Sequence, residues 1–236
     1  GGKGAFAWTD PAPLSHGPQA EQQPQVLMGT PTGPAGGKPR SVAALYVDVK
    51  RGPYAKMEGV SPWGEAEDAT KYQGPDPVVA HPPCGHWGRY ACKAHDTGET
   101  GPIAVQQVQK FGGVLEQPAH SKLFDHMQLP RPGELPDAHG GYTIEVAQRD
   151  FGHRADKPTW LYVVGTPPGE LPPMPPPQPP RQAITPKVRQ LVEGADPGRR
   201  AQGTRGIVET MSKNQRHLTP EPFADWLVEA ARRAKR

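Results

Sequence analysis

Short apolar runs alternate with amphipathic segments through the middle of the chain. Residues 42–49 (VAALYVDV) are rich in β-branched side chains, which predicts a buried strand. Ser61 and Pro62 match a helix N-cap and first helical position, so we expect a helix from there to Gly74. Residues 78–81 (VVAH) predict a second short strand, which the two prolines after it end.

The next segments continue this alternation. Residues 102–111 (PIAVQQVQKF) place apolar side chains at near-helical spacing, and Gly112 and Gly113 end the predicted helix. Residues 114–116 (VLE) predict a third strand. The order strand, helix, strand, helix, strand is typical of α/β architecture with a parallel sheet.

Two further strands are predicted at residues 142–146 and 159–164. The polar stretch between them is too short for a crossover helix, so we expect them to form an antiparallel pair. The predicted fold class is therefore α/β, with a mostly parallel sheet and a terminal antiparallel pair.

Composition limits how much of the chain can fold, because 28 Gly and 32 Pro among 236 residues place it at the edge of the disordered class. We expect residues 1–40 to be a disordered arm, residues 41–166 to form the α/β domain and residues 167–186 to form a proline-rich linker. Residues 187–236 would form a basic helical tail, since residues 181–236 hold 12 basic and 6 acidic side chains.

A helix in this tail is predicted to begin after Thr219, with Pro220 in its first turn. Its apolar side chains share one face, which we expect to pack on the α/β domain. These side chains are Phe223, Trp226, Leu227 and Ala230. The cations at the end of the helix could contact phosphates, or they could form an ordinary solvated helix end favoured by the helix dipole.

The net charge of +3 argues against a disordered polyelectrolyte, and no apolar run is long enough to span a bilayer. Cys84 and Cys92 are too few for a disulfide scaffold and favour a reducing compartment, so we expect a cytoplasmic protein with no membrane partner. The first residues contain no apolar core, so we expect no signal peptide, and the start at Gly1-Gly2-Lys3 without an initiator Met suggests a fragment or a processed chain.

The carboxyl ends of parallel strands are where open α/β sheets bind ligands, and here they lead to Asp48, to residues 81–84 (HPPC) and to Glu116. Cys84 follows two prolines, so a stiff loop would present its sulfur as a nucleophile, unless it is a buried structural cysteine. Glu116 would hold a carboxylate at the same edge, unless it is an ordinary solvated residue.

The connection between the last two strands, residues 148–160, is rich in cations. Arg149, Arg154 and Lys157 could grip a phosphate or the polar edge of a base, or they could form a plain charged turn. Zinc binding is a rival interpretation of the cysteine region, where the candidate ligands are His81, Cys84, His86, Cys92 and His95. Their spacing is only partly typical of structural zinc, so we expect no metal.

Three segments carry a resemblance to a known family: PVVAHPPCGHW, GGVLEQPAHSKLF and VAQRDFGHRADKPTWLYVVG. They resemble a family of uncharacterised phage and prophage proteins, which is itself similar to the DNA cytosine-5 methyltransferases. The likeness covers residues 43–165 and, more loosely, the tail segment MSKNQRHLTPEPFADWLVEAAR. It implies a Rossmann-like fold, DNA as the partner, S-adenosylmethionine as the cofactor, and a phage- or prophage-encoded protein in a bacterial host cell.

By this resemblance Cys84 corresponds to the catalytic nucleophile and Glu116 to the carboxylate that holds the base. The residues implied to contact the substrate are His81, Pro83, Gln148, Arg154 and Lys157. Asp48 and Gly52 stand where the methyltransferases have a glycine-rich cofactor loop, but residues 46–53 hold a single glycine, placed before a proline.

The expected function is methyl transfer to a flipped or single-stranded DNA pyrimidine, with Cys84 adding to the ring. Two alternatives remain open. The chain could be a catalytically silent DNA-binding or interaction protein that has lost the cofactor loop. It could also be a base-modifying enzyme that uses another donor.

Overall fold

A computed structural model of the chain describes residues 39–88, 99–179, 181–184, 207–210 and 217–235. Every helix and strand below lies in one compact unit, residues 38–236. The arm expected at residues 1–40 lies outside the described residues, apart from its last two positions.

Six strands form one mixed sheet. They are β1 (Val42–Leu45), β2 (Val60–Trp63), β3 (Val78–Ala80), β4 (Gly113–Pro118), β5 (Tyr142–Ala147) and β6 (Pro158–Val164). The order across the sheet is β2–β1–β3–β4–β6–β5. The first four strands are parallel, whereas β6 runs antiparallel to both β4 and β5. The mostly parallel sheet and the antiparallel pair predicted from the sequence are confirmed.

Three α-helices are present among the described residues: α1 (Thr100–Phe111), α2 (Lys122–His126) and α3 (Glu221–Arg232). Side chains alternate between the two faces of each strand, so the sheet has two apolar faces. Leu45 and Leu115 share a cluster with α1 and α2, whereas Ala44 and Val114 share the other cluster with α3. Coverage on both faces explains why the central strands are continuously apolar.

Two sequence predictions need correction. Strand β1 ends at Leu45, not at residue 49, because Tyr46 turns the backbone to a positive φ of 61°. The helix expected from Ser61 to Gly74 is wrong, since Ser61 and Pro62 lie in β2. This strand is at the edge of the sheet, where proline is tolerated because one side has no pairing partner to lose. Only a 3₁₀ turn, Ala69–Lys71, follows it.

The proline-rich segment is packed on the rest of the unit over its described part, as far as residue 179. The Trp226 indole of α3 donates to the carbonyl of Pro172 at 3.1 Å. The backbone N–H of Gln178 donates to Asp150 at 2.8 Å, and the Arg149 guanidinium donates to the Gln178 carbonyl at 2.9 Å. The predicted linker also contains β7 (Arg181–Ile184), which pairs with β8 (Ile207–Thr210) in a two-stranded parallel sheet.

Helix α3 buries the apolar face that its sequence predicts, with Phe223 and Leu227 fully inaccessible to solvent. The cations at its end are engaged within the chain: Arg232 donates to the Glu58 carbonyl, Arg233 pairs with Glu229, and Lys235 pairs with Glu170. Of the helices in the described ranges, none is both long and apolar enough to cross a membrane.

Candidate functional site

The site lies at the carboxyl ends of β3 and β4, which are adjacent parallel strands. His81 follows the last residue of β3, and Glu116 lies within β4. Both side chains point to the α3 face of the sheet and remain slightly open to solvent, with 11% and 13% of their side-chain areas exposed. The convergence of these two segments, expected from the parallel strand order, is present in the structure.

A chain of hydrogen bonds joins Tyr54, His81 and Glu116. The Tyr54 hydroxyl lies 2.6 Å from Nε2 of His81, and Nδ1 of His81 lies 3.0 Å from Oε2 of Glu116. Tyr54 comes from the 3₁₀ turn Pro53–Lys56 and is 2% exposed. Both ring nitrogens of His81 are therefore engaged, one by a phenol and the other by a carboxylate.

Gln148, the first residue of the 3₁₀ turn after β5, holds the other oxygen of the carboxylate. Its Nε2 donates to Oε1 of Glu116 at 2.9 Å and to the Thr159 hydroxyl at 3.1 Å. The side chain is fully buried, and its Oε1 has no hydrogen-bond partner among the described residues. A buried acceptor without a partner costs about 1–3 kcal/mol. The Gln148 amide is thus oriented so that its N–H group bonds to Glu116 while its own carbonyl oxygen has no partner in the described part of the chain.

The charge of Glu116 is set by opposing effects. Burial raises the pKa of Glu116, but the hydrogen bonds from His81 and Gln148 and the charge of Lys157 outweigh it and lower that pKa below its ordinary value. Glu116 is therefore an ionised carboxylate at neutral pH, with both oxygens already held by donors.

Lys157 links the carboxylate to the cysteine loop. Burial lowers the pKa of Lys157, while the negative charges of Glu116 and Cys84 act in the opposite direction. Its ammonium group therefore lies within electrostatic reach of both groups, and it also donates to the Leu218 carbonyl at 3.3 Å. A cation at this position favours the thiolate form of a neighbouring cysteine.

The loop that carries Cys84 is anchored from β4. Gln117 Nε2 donates to the Pro82 carbonyl at 2.8 Å, and Ser121 in turn donates to Oε1 of Gln117 at 3.0 Å. The backbone N–H of Trp87 closes a turn on the Cys84 carbonyl at 3.1 Å. Cys84 itself is half-buried. Cys84 thus lies on an anchored loop and is not fully buried.

The residues expected to bind the cofactor lie on the loop after β1. The Asp48 carboxylate accepts from the backbone N–H groups of Lys50 and Arg51, and these bonds lower the pKa of Asp48. A Cβ at Gly52 would lie 2.6 Å from the Asp48 carbonyl oxygen, so the tight turn leaves no room for a side chain. Gly52 lines a cavity of about 430 Å³ shared with Lys56.

A second cavity, of about 480 Å³, lies at the carboxyl ends of β1, β2 and β3. Its lining includes Tyr46, Glu65, Pro83 and Thr100. The Thr100 hydroxyl oxygen is buried and has no hydrogen-bond partner in the described part of the chain. Asp48 and Gly52 are not among its lining residues, whereas Pro83, expected to contact substrate, is.

The remaining candidates are distributed more widely. Arg154 is exposed in the connection between β5 and β6, and Arg149 pairs with Asp150 and Asp156. Cys92 and His95, two of the possible zinc ligands, lie outside the described residues. Within the ranges that are described, no group of three or more His, Cys, Asp or Glu side chains is arranged to hold a metal ion.

Sequence reasoning missed two components of this region. Tyr54 carries no local signal, because its partner His81 is 27 positions away along the chain. Glu65 follows the strand that was taken for a helix. Predicting residues 60–63 as a strand would have placed Glu65 at the carboxyl edge of the sheet, where it lines the second cavity.

The chain matches no protein-family model, and no curated protein is significantly similar to it in sequence.

Proposed function

We propose that this chain is a Rossmann-like, DNA-modifying enzyme that resembles the cytosine-5 methyltransferases, with Cys84 as the nucleophile. The proposal depends on one observation: Gln117, next to Glu116 on β4, donates to the Pro82 carbonyl at 2.8 Å and so holds the loop of Cys84 beside the strand that carries the Glu116 carboxylate. These groups come from segments far apart in sequence. Perturbed titratable groups that converge at a sheet edge are typical of active sites.

Each group has a role in addition to a pyrimidine ring. The Cys84 thiolate, favoured by the Lys157 ammonium, forms a bond to C6, and the C5–C6 double-bond electrons move toward N3. N3 takes a proton from water, and the resulting N3–H donates a hydrogen bond to the ionised Glu116 carboxylate, which stabilises the adduct. C5 is then nucleophilic and takes the methyl group. Water finally removes the N3 and C5 protons, the C5–H electrons re-form the C5–C6 double bond, and the Cys84 thiolate leaves.

The 480 Å³ cavity beside Pro83 has the size of a small-molecule site and fits a nucleoside-bearing cofactor. The Glu65 carboxylate could accept hydrogen bonds from ribose hydroxyls, and the Thr100 hydroxyl has no hydrogen bond to any described residue. S-adenosylmethionine, when bound, supplies an electrophilic methyl group. The wall that Pro83 contributes places this cavity next to the Cys84 loop.

DNA is the proposed partner. A base stacked in a duplex cannot reach a half-buried cysteine, so the substrate base is flipped out of the helix or already single-stranded. The exposed Arg154 lies on the connection between β5 and β6, where it could contact a phosphate beside the extruded nucleotide.

Covalent trapping tests the proposal. We expect DNA that contains 5-fluorocytosine to form a denaturation-resistant adduct in the presence of S-adenosylmethionine, because fluorine at C5 cannot leave as a proton does. Cys84→Ser should abolish the adduct. The matched control is Cys92→Ser, the chain's other cysteine, which should leave the adduct unchanged.

The outcomes separate the candidate functions. An absent adduct on single-stranded and duplex DNA of random sequence would refute the role of Cys84 as nucleophile. Calorimetry then distinguishes the alternatives: DNA binding without S-adenosylmethionine binding indicates a silent DNA-binding protein. A new nucleoside mass in DNA from expressing cells, lost in Cys84→Ser but not matching a methyl group, indicates another donor.

A further inference from the structure

His81 has no nitrogen left to offer a substrate. Nε2 faces the Tyr54 hydroxyl at 2.6 Å, and Nδ1 faces Glu116 at 3.0 Å. A histidine with both ring nitrogens hydrogen-bonded inside the protein can affect a reaction only through the residues that it contacts, and here one of them is Glu116.

The partners of His81 determine which nitrogen carries its proton. Because the ionised Glu116 can only accept from Nδ1, the Tyr54 hydroxyl, 2.6 Å from Nε2, is the donor there, and burial raises its pKa so that it keeps this proton. Nε2 is then an acceptor, and Nδ1 carries the hydrogen that points at the ionised Glu116. The chain of donors runs in one direction, from Tyr54 through His81 to the carboxylate.

The two oxygens of Glu116 are held from opposite sides. His81 holds Oε2, and Gln148 holds Oε1 at 2.9 Å. Two donors on separate oxygens fix the plane of the carboxylate, whereas one donor would leave it free to rotate about its terminal torsion. Gln148 and Tyr54 are both buried, so water does not compete for the hydrogen bonds that fix this plane.

We infer that His81 is a positioning residue that fixes the plane of the Glu116 carboxylate, and that Tyr54 fixes the tautomer in which His81 does so. The inference rests on the proposed function for its catalytic consequence, since Glu116 is the group that meets the base. A misplacement of about 1 Å in such a group can lower a rate about 10²-fold.

The first test needs no substrate. Nitrogen-15 NMR of the imidazole rings, with the His81 signals assigned by their loss in His81→Asn, should show Nδ1 protonated and Nε2 unprotonated. Tyr54→Phe retains the ring but removes the hydroxyl, and it should give a mixture of tautomers. An Nε2-protonated His81 in the unmodified chain, or an unchanged spectrum in Tyr54→Phe, would overturn the inference.

The second test uses the rate of adduct formation on 5-fluorocytosine DNA. His81→Leu should be about 10²-fold slower. His81→Asn, whose amide N–H can replace Nδ1 as a donor to Glu116, should recover most of that loss. His86→Leu and His86→Asn are matched controls in the same loop, because His86 is exposed and contacts Trp87. They should react as fast as the unmodified chain.

The two tests distinguish the failure of each proposal. If the unmodified chain forms no adduct, the proposed function fails, and the NMR result still decides whether Tyr54 and His81 hold Glu116. If the adduct forms equally fast in His81→Leu, the positioning role is refuted while the nucleophile stands.

Discussion

The spacing between the strands that carry His81 and Glu116 depends on Gly113. This residue pairs with Val78 in the parallel ladder between β3 and β4, at a positive φ of 119°. A Cβ placed there would lie 1.9 Å from the Val78 carbonyl oxygen, whereas real Cβ atoms stay at least 3.0 Å from such neighbours. The substitution Gly113→Ala therefore forces the two strands apart or breaks their pairing.

The expected cost has two parts. An alanine in a sparsely populated backbone region costs about 1–3 kcal/mol. Separating the strands also weakens the neighbouring hydrogen bond from Val78 N–H to the Gly112 carbonyl, now 2.9 Å, and others in the ladder, at about 1 kcal/mol each. The total is about 3–5 kcal/mol. For a unit of this size that corresponds to a fall in melting temperature of about 10 °C.

Thermal unfolding followed by circular dichroism measures this loss. The matched control is Gly133→Ala, because Gly133 also has a positive φ, of 88°, but no atom lies within 4 Å of its ideal Cβ. It should lose only about 1–2 kcal/mol from the backbone conformation. Equal melting temperatures for the two variants would refute the claim that close strand approach at Gly113 sets the geometry of the site.

Two further variants test the packing of α3 and the charge of the site. Leu227→Ala should lose about 2–5 kcal/mol in urea unfolding because Leu227 is fully buried, whereas Leu218→Ala, at 63% exposure, should change little; equal losses would contradict the packing of α3. Since the folded-state pKa of Glu116 is lowered, its carboxylate stabilises the fold above its ordinary pKa and stops doing so as pH falls through the folded value. The melting temperature of Glu116→Gln should therefore lie furthest below that of the unmodified chain near neutral pH, and a gap that widens on acidification would contradict this.

The sequence predicted those parts of the fold that depend on local pattern. The strands before His81 and at Glu116 are short apolar runs bounded by prolines or glycines, and their parallel order places their ends together. The pairing of β1 with β2 was harder to predict, because Ser61 and Pro62 fit the start of a helix as well as they fit an edge strand. Only the pairing of β2 with β1 decides between these, and that pairing is not local.

The support around Glu116 could not be predicted for a similar reason. Tyr54 lies in a 3₁₀ turn after β1, and its hydroxyl contacts His81 only because β1 pairs with β3, the strand before His81. Gln148 was identified by resemblance as a substrate contact, yet its donated hydrogen bonds go to Glu116 and Thr159. The register of β5 against β6 decides which polar side chains face Gln148, and the pattern of residue types along the chain does not specify that register.

The late position of α3 in the chain affects how the protein is made. Strand β4 ends at Pro118, but α3, the helix that covers one face of the sheet, begins only at Glu221. At a synthesis rate of ~5–20 residues per second, the nascent sheet waits about 5 to 20 s for its cover. During that interval the apolar face of the sheet that α3 later covers is exposed to solvent. The yield of folded protein should therefore depend on chaperones that shield the growing chain, and slower translation would lengthen the vulnerable period.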